Sequence, residues 1–156
     1  MFVEILIDGL TFGLMLSLLG VGITLIFGLG EILNMAHGEF VIICALLSWG
    51  LSGMGVNLLL SITSSLMVTG LIGLAIEKTL LYPAYRAKGE TRILMGIFIT
   101  LGLSLALHSY LLNTVPLAQF SVRVPLSGFY VGGVLVRASS LLSALIATAA
   151  LALLSL

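Results

Sequence analysis

Twelve residues, Gly28 to Glu39 (Gly-Leu-Gly-Glu-Ile-Leu-Asn-Met-Ala-His-Gly-Glu), gather two carboxylates, an imidazole, a side-chain amide and three glycines. The sequence on both sides is apolar enough to lie in a bilayer, where polar groups are costly and are kept because they are used. Glycine and a broken helix leave backbone N–H groups free at a half-helix N-terminus, which attracts an anionic group such as a carboxylate. Asn34, His37 and Glu39 can hydrogen-bond a polar solute there, and Gly38 lets the backbone come close to it. These four residues are the candidate lining of a pathway through the membrane.

A second reading of the same stretch stays open. If the first span ends near Gly30, residues 31–39 form a solvated interfacial connection, or Asn34 caps a helix that begins at Met35. Metal chemistry finds no support, because no second His or Cys stands at ligand spacing from His37; Cys44 is too distant and His108 lies three segments away. An acid–base pair of His37 and Glu39 is weak, since residues two apart do not face each other on a helix. His108, near the outer end of its span, reads as interfacial. No nucleophile–base set, Walker loop or dinucleotide fingerprint occurs, so neither enzymatic chemistry nor a cofactor is expected.

The elements that must position this stretch are hydrophobic. The chain has 156 residues, 60% apolar and 8% charged, with a mean hydropathy of +1.31. Soluble domains are roughly a quarter charged, so this composition builds an integral membrane protein. Six basic and six acidic residues cancel, and no basic patch suits nucleic acid. Cys44 reads as a small buried hydrophobe. Met1 to Gly9 lacks Lys and Arg and carries Glu4 and Asp8, unlike a secretory signal.

Runs of about 20 apolar residues cross a bilayer as helices. The expected fold is all-α and polytopic, a single transmembrane domain over 1–156 with about five hydrophobic segments. The first runs from Leu10 to Gly30, with glycines suited to close helix packing. The second, Phe40 to Leu51, is short, of the length of broken or re-entrant helices, and Trp49 marks its interfacial end. The third is Val56 to Ile76, with Glu77 and Lys78 solvated at its end. A polar loop, Tyr82 to Arg92, comes next and is cytoplasmic by its basic residues. The fourth span is Ile93 to Leu112. Asn113 to Ala138, carrying Arg123 and Arg137, is an external connection with hairpin character at Val122, Val124 and Tyr130 to Val136, turning at Gly132-Gly133. A fifth run is Ser139 to Leu156.

Gly20 to Gly28 (Gly-Val-Gly-Ile-Thr-Leu-Ile-Phe-Gly) with Glu31 to Phe40 resembles the N-terminal signature of the permease subunits of branched-chain amino acid ABC transporters. Ile76-Glu77-Lys78 with Tyr82-Pro83 and Arg86 is similar to that family's first cytoplasmic loop, and Ile99 to Ser104 to the start of its next span. Met35 stands where the motif usually has Phe. The family's members are nearly twice as long, so the resemblance is to an N-terminal half, without the later loop that docks on the ATPase.

The resemblance implies an importer for leucine, isoleucine, valine or related amino acids in the inner membrane of a bacterial or archaeal cell. Its partners would be cytoplasmic ABC ATPase subunits, a second permease subunit (homo- or heterodimer) and a periplasmic substrate-binding protein. ATP chemistry would belong to those partners, and Asn34 to Glu39 would help shape the path where segments one and two break. A sister permease for urea, amides or sugars, or a non-functional truncated fragment, fits the same residues.

Overall fold

The computed structural model describes residues 2–115, 129–131, 134–136 and 138–154. It is an all-α, polytopic membrane protein apart from one small ladder. Its helices are α1 (Phe2–Gly30), α2 (His37–Gly53), α3 (Leu58–Ile76), α4 (Tyr82–Arg86), α5 (Glu90–Thr114) and α6 (Ala138–Leu154), and a π turn (Glu77–Leu81) joins α3 to α4. Three stretches are long and apolar enough to cross a membrane: Ile5–Gly30, Leu58–Arg86 and Glu90–Thr114.

Two compact units are formed, one from Met1–Leu25 and Val124–Leu156 and the other from Ile26–Arg123. The first holds most of α1, the ladder and α6. Strands β1 (Phe129–Val131) and β2 (Val134–Val136) pair antiparallel, Tyr130 opposite Leu135. The Gly132-Gly133 turn, Val122, Val124, Arg123 and Arg137 lie outside the described residues. Helix α1 begins at Phe2 rather than near Leu10, so Asp8 lies within it. Its hydroxyls are satisfied locally, as a bilayer requires: Thr11, Ser17 and Thr24 donate to the carbonyls of Ile7, Gly13 and Gly20 at 2.8–2.9 Å.

The second unit is built on an α2–α3 pair. At 1.5 Å per residue the 17 residues of α2 extend about 26 Å, nearly the thickness of the hydrocarbon core. The link after Gly53 is tight. Gly55 takes φ +85°, a conformation that glycine reaches without steric cost. Asn57 then caps α3, its side chain accepting the Leu59 N–H at 2.9 Å. Short links join antiparallel neighbours, and α2 packs against α3. On α3, Ser61 and Ser65 are fully buried, small enough to let a neighbouring helix approach.

The expected polar loop at Tyr82 to Arg92 is mostly helix. Leu58 to Arg86 runs on through the π turn, leaving only Ala87 to Gly89 as a connection. Pro83 explains the widened turn, because it has no N–H to offer the carbonyl of Thr79. Arg86 stays helical by donating to the Tyr82 hydroxyl and lying 4.5 Å from its ring centroid. Glu77 and Lys78 are therefore interior to a long helix and do not end one.

At the other break, Glu31 closes α1 in a left-handed conformation (φ 52°), costly for a residue with a Cβ. Its carboxylate meets Arg92 at 3.3 Å, and Arg92 lies 5.2 Å from the Tyr85 ring centroid. Helix α2 starts at His37 and not Met35, with Ala36 at its N-cap and no side-chain cap bond. Asn34 still serves the junction, since its Oδ1 accepts the Ala36 N–H at 3.0 Å.

Candidate functional site

The segment between α1 and α2 is anchored on α5, while Glu31 and Met35 stay exposed. It lies along α5 and advances in the same direction. Glu31 meets Arg92, and Ile32, 1% exposed, fills the space over Gly96, where a Cβ would collide with its side chain. One turn further, the Met35 N–H donates to Thr100 Oγ1 at 3.0 Å. The Thr100 proton can reach the carbonyl of Leu33 at 3.1 Å or that of Gly96 at 2.8 Å. Glu39 Oε1 then accepts from Ser104 Oγ at 3.4 Å and lies 3.5 Å from His108 Nδ1.

Gly96, Thr100, Ser104 and His108 recur at every fourth position, which places them on one face of α5. This stripe is the counterpart of residues 31–39. It was legible in the sequence as small and polar residues at helical spacing in an otherwise apolar span. His108, read as merely interfacial, is the partner of Glu39. It remains half exposed, whereas the Glu39 side chain is 13% exposed. Glu39 Oε2 is buried without a hydrogen-bond partner.

A cavity of about 710 Å³ opens beside the junction, within the range of small-molecule sites. Asn34 and His37 line it, with Thr100, Glu77 and Tyr85 also at the end where α2 starts and α3 gives way to the π turn. Toward the other end the walls are Val41, Ala45, Ile62 and Leu66, with Ser48. The cavity is thus largely apolar, with Ile26, Phe40, Ile76 and Leu81 beside the polar groups at the junction. Cys44 lines it too and is partly exposed, not the buried hydrophobe expected of it. The Thr69 hydroxyl is on this wall, buried and without a hydrogen-bond partner.

The four residues singled out in the sequence are therefore divided. Asn34 and His37 face the cavity. Glu39 turns to α5. Gly38 sits in open space, a Cβ there meeting nothing within 4 Å. Glu77 and Tyr85, assigned to a helix end and a loop, belong to the cavity because the helix continues through them. Among the described residues no group of three or more His, Cys, Asp or Glu could hold a metal ion.

Residues 5–156 match the family described as the permease component of branched-chain amino acid transport systems. The high-affinity branched-chain amino acid transport system permease protein BraD of Pseudomonas aeruginosa is 30% identical over 129 residues, covering 77% of this chain and 39% of the relative. The corresponding permease proteins LivH of Salmonella typhimurium and Escherichia coli are each 27% identical over 156 residues, covering 94% of this chain and 48% of theirs. The chain thus spans less than half the length of these curated relatives. No solved structure matches it.

Proposed function

The chain belongs to the permease-component family of branched-chain amino acid transport systems, and on that premise we propose that it is a membrane-spanning subunit of an ATP-driven importer. Its substrates are leucine, isoleucine, valine or related amino acids, carried across the inner membrane of a bacterial or archaeal cell. The match across residues 5–156 carries this reading. The cavity supports it, because a largely apolar wall with hydrogen-bonding groups at the junction suits a zwitterion bearing a branched side chain.

The single permease domain at 1–156 corresponds to the N-terminal portion of the family's longer members. Its partners are cytoplasmic ABC ATPase subunits, a second permease subunit and a periplasmic substrate-binding protein. ATP is hydrolysed by the ATPases, and this chain supplies the path. Asn34 and His37 touch the solute, Gly38 leaves open space beside them, and Glu39 keeps the start of α2 against α5.

The test is uptake of labelled leucine by proteoliposomes holding this chain with its partner subunits, with binding protein outside and ATP inside. Uptake that requires both supports the reading. Uptake of urea, a short amide or a sugar without leucine uptake overturns it in favour of a sister permease. No uptake of any of these marks a non-functional fragment.

A further inference from the structure

The helical rod from Leu58 to Arg86 is long and apolar enough to cross the membrane, and one of its sides lines the cavity. On another side Met67, Leu71, Leu74, Lys78, Tyr82 and Arg86 recur at every third or fourth position, the spacing of a single helix face. From Met67 to Arg86 a uniform α-helix would drift off such a stripe by about a quarter turn. The π turn (Glu77–Leu81) rotates less per residue and takes up most of that drift. None of the six lines the cavity, and all are exposed, the three apolar ones by 52–72% and Tyr82 by 49%. Leu71 stands about 16 Å from Tyr82 along the axis, roughly the depth of one leaflet's hydrocarbon. The stripe is therefore apolar over one leaflet and basic at its cytoplasmic end.

That end presents donors to an anion. Arg86 donates to the Tyr82 hydroxyl and lies 4.5 Å from its ring centroid, so the phenol's own proton stays available to an outside acceptor. Lys78, one turn deeper, pairs with no carboxylate among the described residues. The nearby acids are placed elsewhere: Glu31 meets Arg92, Glu77 is on the cavity wall, and Glu90 is in the first turn of α5, where a helix N-terminus favours it. Two cations and a hydroxyl at headgroup level, continued by an apolar strip one leaflet deep, match an amphiphile with an anionic head. We propose that this stripe binds an anionic phospholipid of the cytoplasmic leaflet. Its phosphate is held by Lys78, Tyr82 and Arg86, and an acyl chain lies along Leu74, Leu71 and Met67. The site does not depend on which solute the cavity takes.

Native mass spectrometry of the chain in an uncharged detergent, with the subunits that purify with it, reads the site. Dioleoyl phosphatidylglycerol and dioleoyl phosphatidylcholine are supplied in equal amounts, so that only the headgroups differ. The wild type should retain phosphatidylglycerol by about tenfold or more over phosphatidylcholine, each basic contact contributing about fivefold. Lys78→Gln and Arg86→Gln should each lower that preference about fivefold, and Tyr82→Phe, which leaves the charge unchanged, about threefold. Lys88→Gln removes the same charge beyond the stripe and should change it by less than about twofold. Helix content equal to that of the wild type controls for folding. Equal retention of the two lipids by the wild type overturns the proposal. A loss in Lys88→Gln as large as that in Arg86→Gln does so too, since it reduces the site to diffuse attraction. Displacement of the lipid by inorganic phosphate would mark a site for a free anion instead. Loss of a co-purifying subunit from Lys78→Gln or Arg86→Gln would assign the face to that subunit and not to lipid.

Discussion

Thr100 Oγ1 receives the backbone N–H of Met35 at 3.0 Å, from a residue 65 positions earlier in the chain. The side chain is fully buried, and the bond supplies a partner to a backbone group that the break before α2 leaves without one. In an apolar surrounding such a group costs several kcal/mol unpaired. The break is therefore a supported feature, held by Thr100 on one side of Gly96 and by Ile32 above it.

Gly96→Ala puts a Cβ into Ile32, whose Cβ is 3.3 Å away, and should cost about 1–3 kcal/mol by overpacking. Thr100→Val removes the acceptor for Met35 and should cost about 1–3 kcal/mol. Thermal unfolding in detergent, followed by helix content, reads both losses. Unchanged midpoints would show that the junction does not depend on this seam.

Glu39 and His108 are coupled across α2 and α5, but His108 is half exposed. A double-mutant cycle with Glu39→Gln and His108→Gln should give a coupling of no more than about 1 kcal/mol, falling with added salt. Additive losses would mean that the 3.5 Å approach contributes nothing.

Substitution at His37 and at Glu39 should separate function from support. His37→Ala faces the cavity and should lower leucine uptake by about fivefold to tenfold, the worth of one hydrogen bond, with unchanged insertion and unfolding midpoint. Glu39→Ala should lower the midpoint first, because its contacts are with Ser104 and His108. A His37→Ala importer with wild-type uptake would remove the imidazole from the pathway.

Ala87, in the short link between α4 and α5, stands among Arg86, Lys88 and Arg92. The positive-inside rule puts this link in the cytoplasm. In a Cys44→Ala background, Ala87→Cys should react with a membrane-impermeant maleimide in inside-out vesicles and not in intact cells. Labelling of intact cells would reverse the topology.

Much of this was legible in the residues. Leucine-rich runs without charge fix helices in a bilayer, because no other structure satisfies the backbone there, and α2, α3 and α5 lie close to where the runs place them. The end of α1 at Gly30 and the Ala36 to Glu39 cluster were also readable from sequence. The continuation through Tyr82 to Arg86 was not. Polar residues and a proline read as a loop, but the π turn, the Arg86–Tyr82 contacts and the burial of Leu81 and Ala84 keep that segment helical.

The sequence by itself determined that the chain crosses a membrane, that it breaks after Gly30, and that Asn34 and His37 stand at the break. These come from composition and local spacing, which act between near neighbours. Which carboxylate faces the cavity was decided by tertiary structure alone. Glu39 and Glu77 are both acids beside apolar runs, and nothing local tells them apart. His108 and Ser104, far along the chain, claim the first, and the packing of α3 against α2 puts the second on the cavity wall.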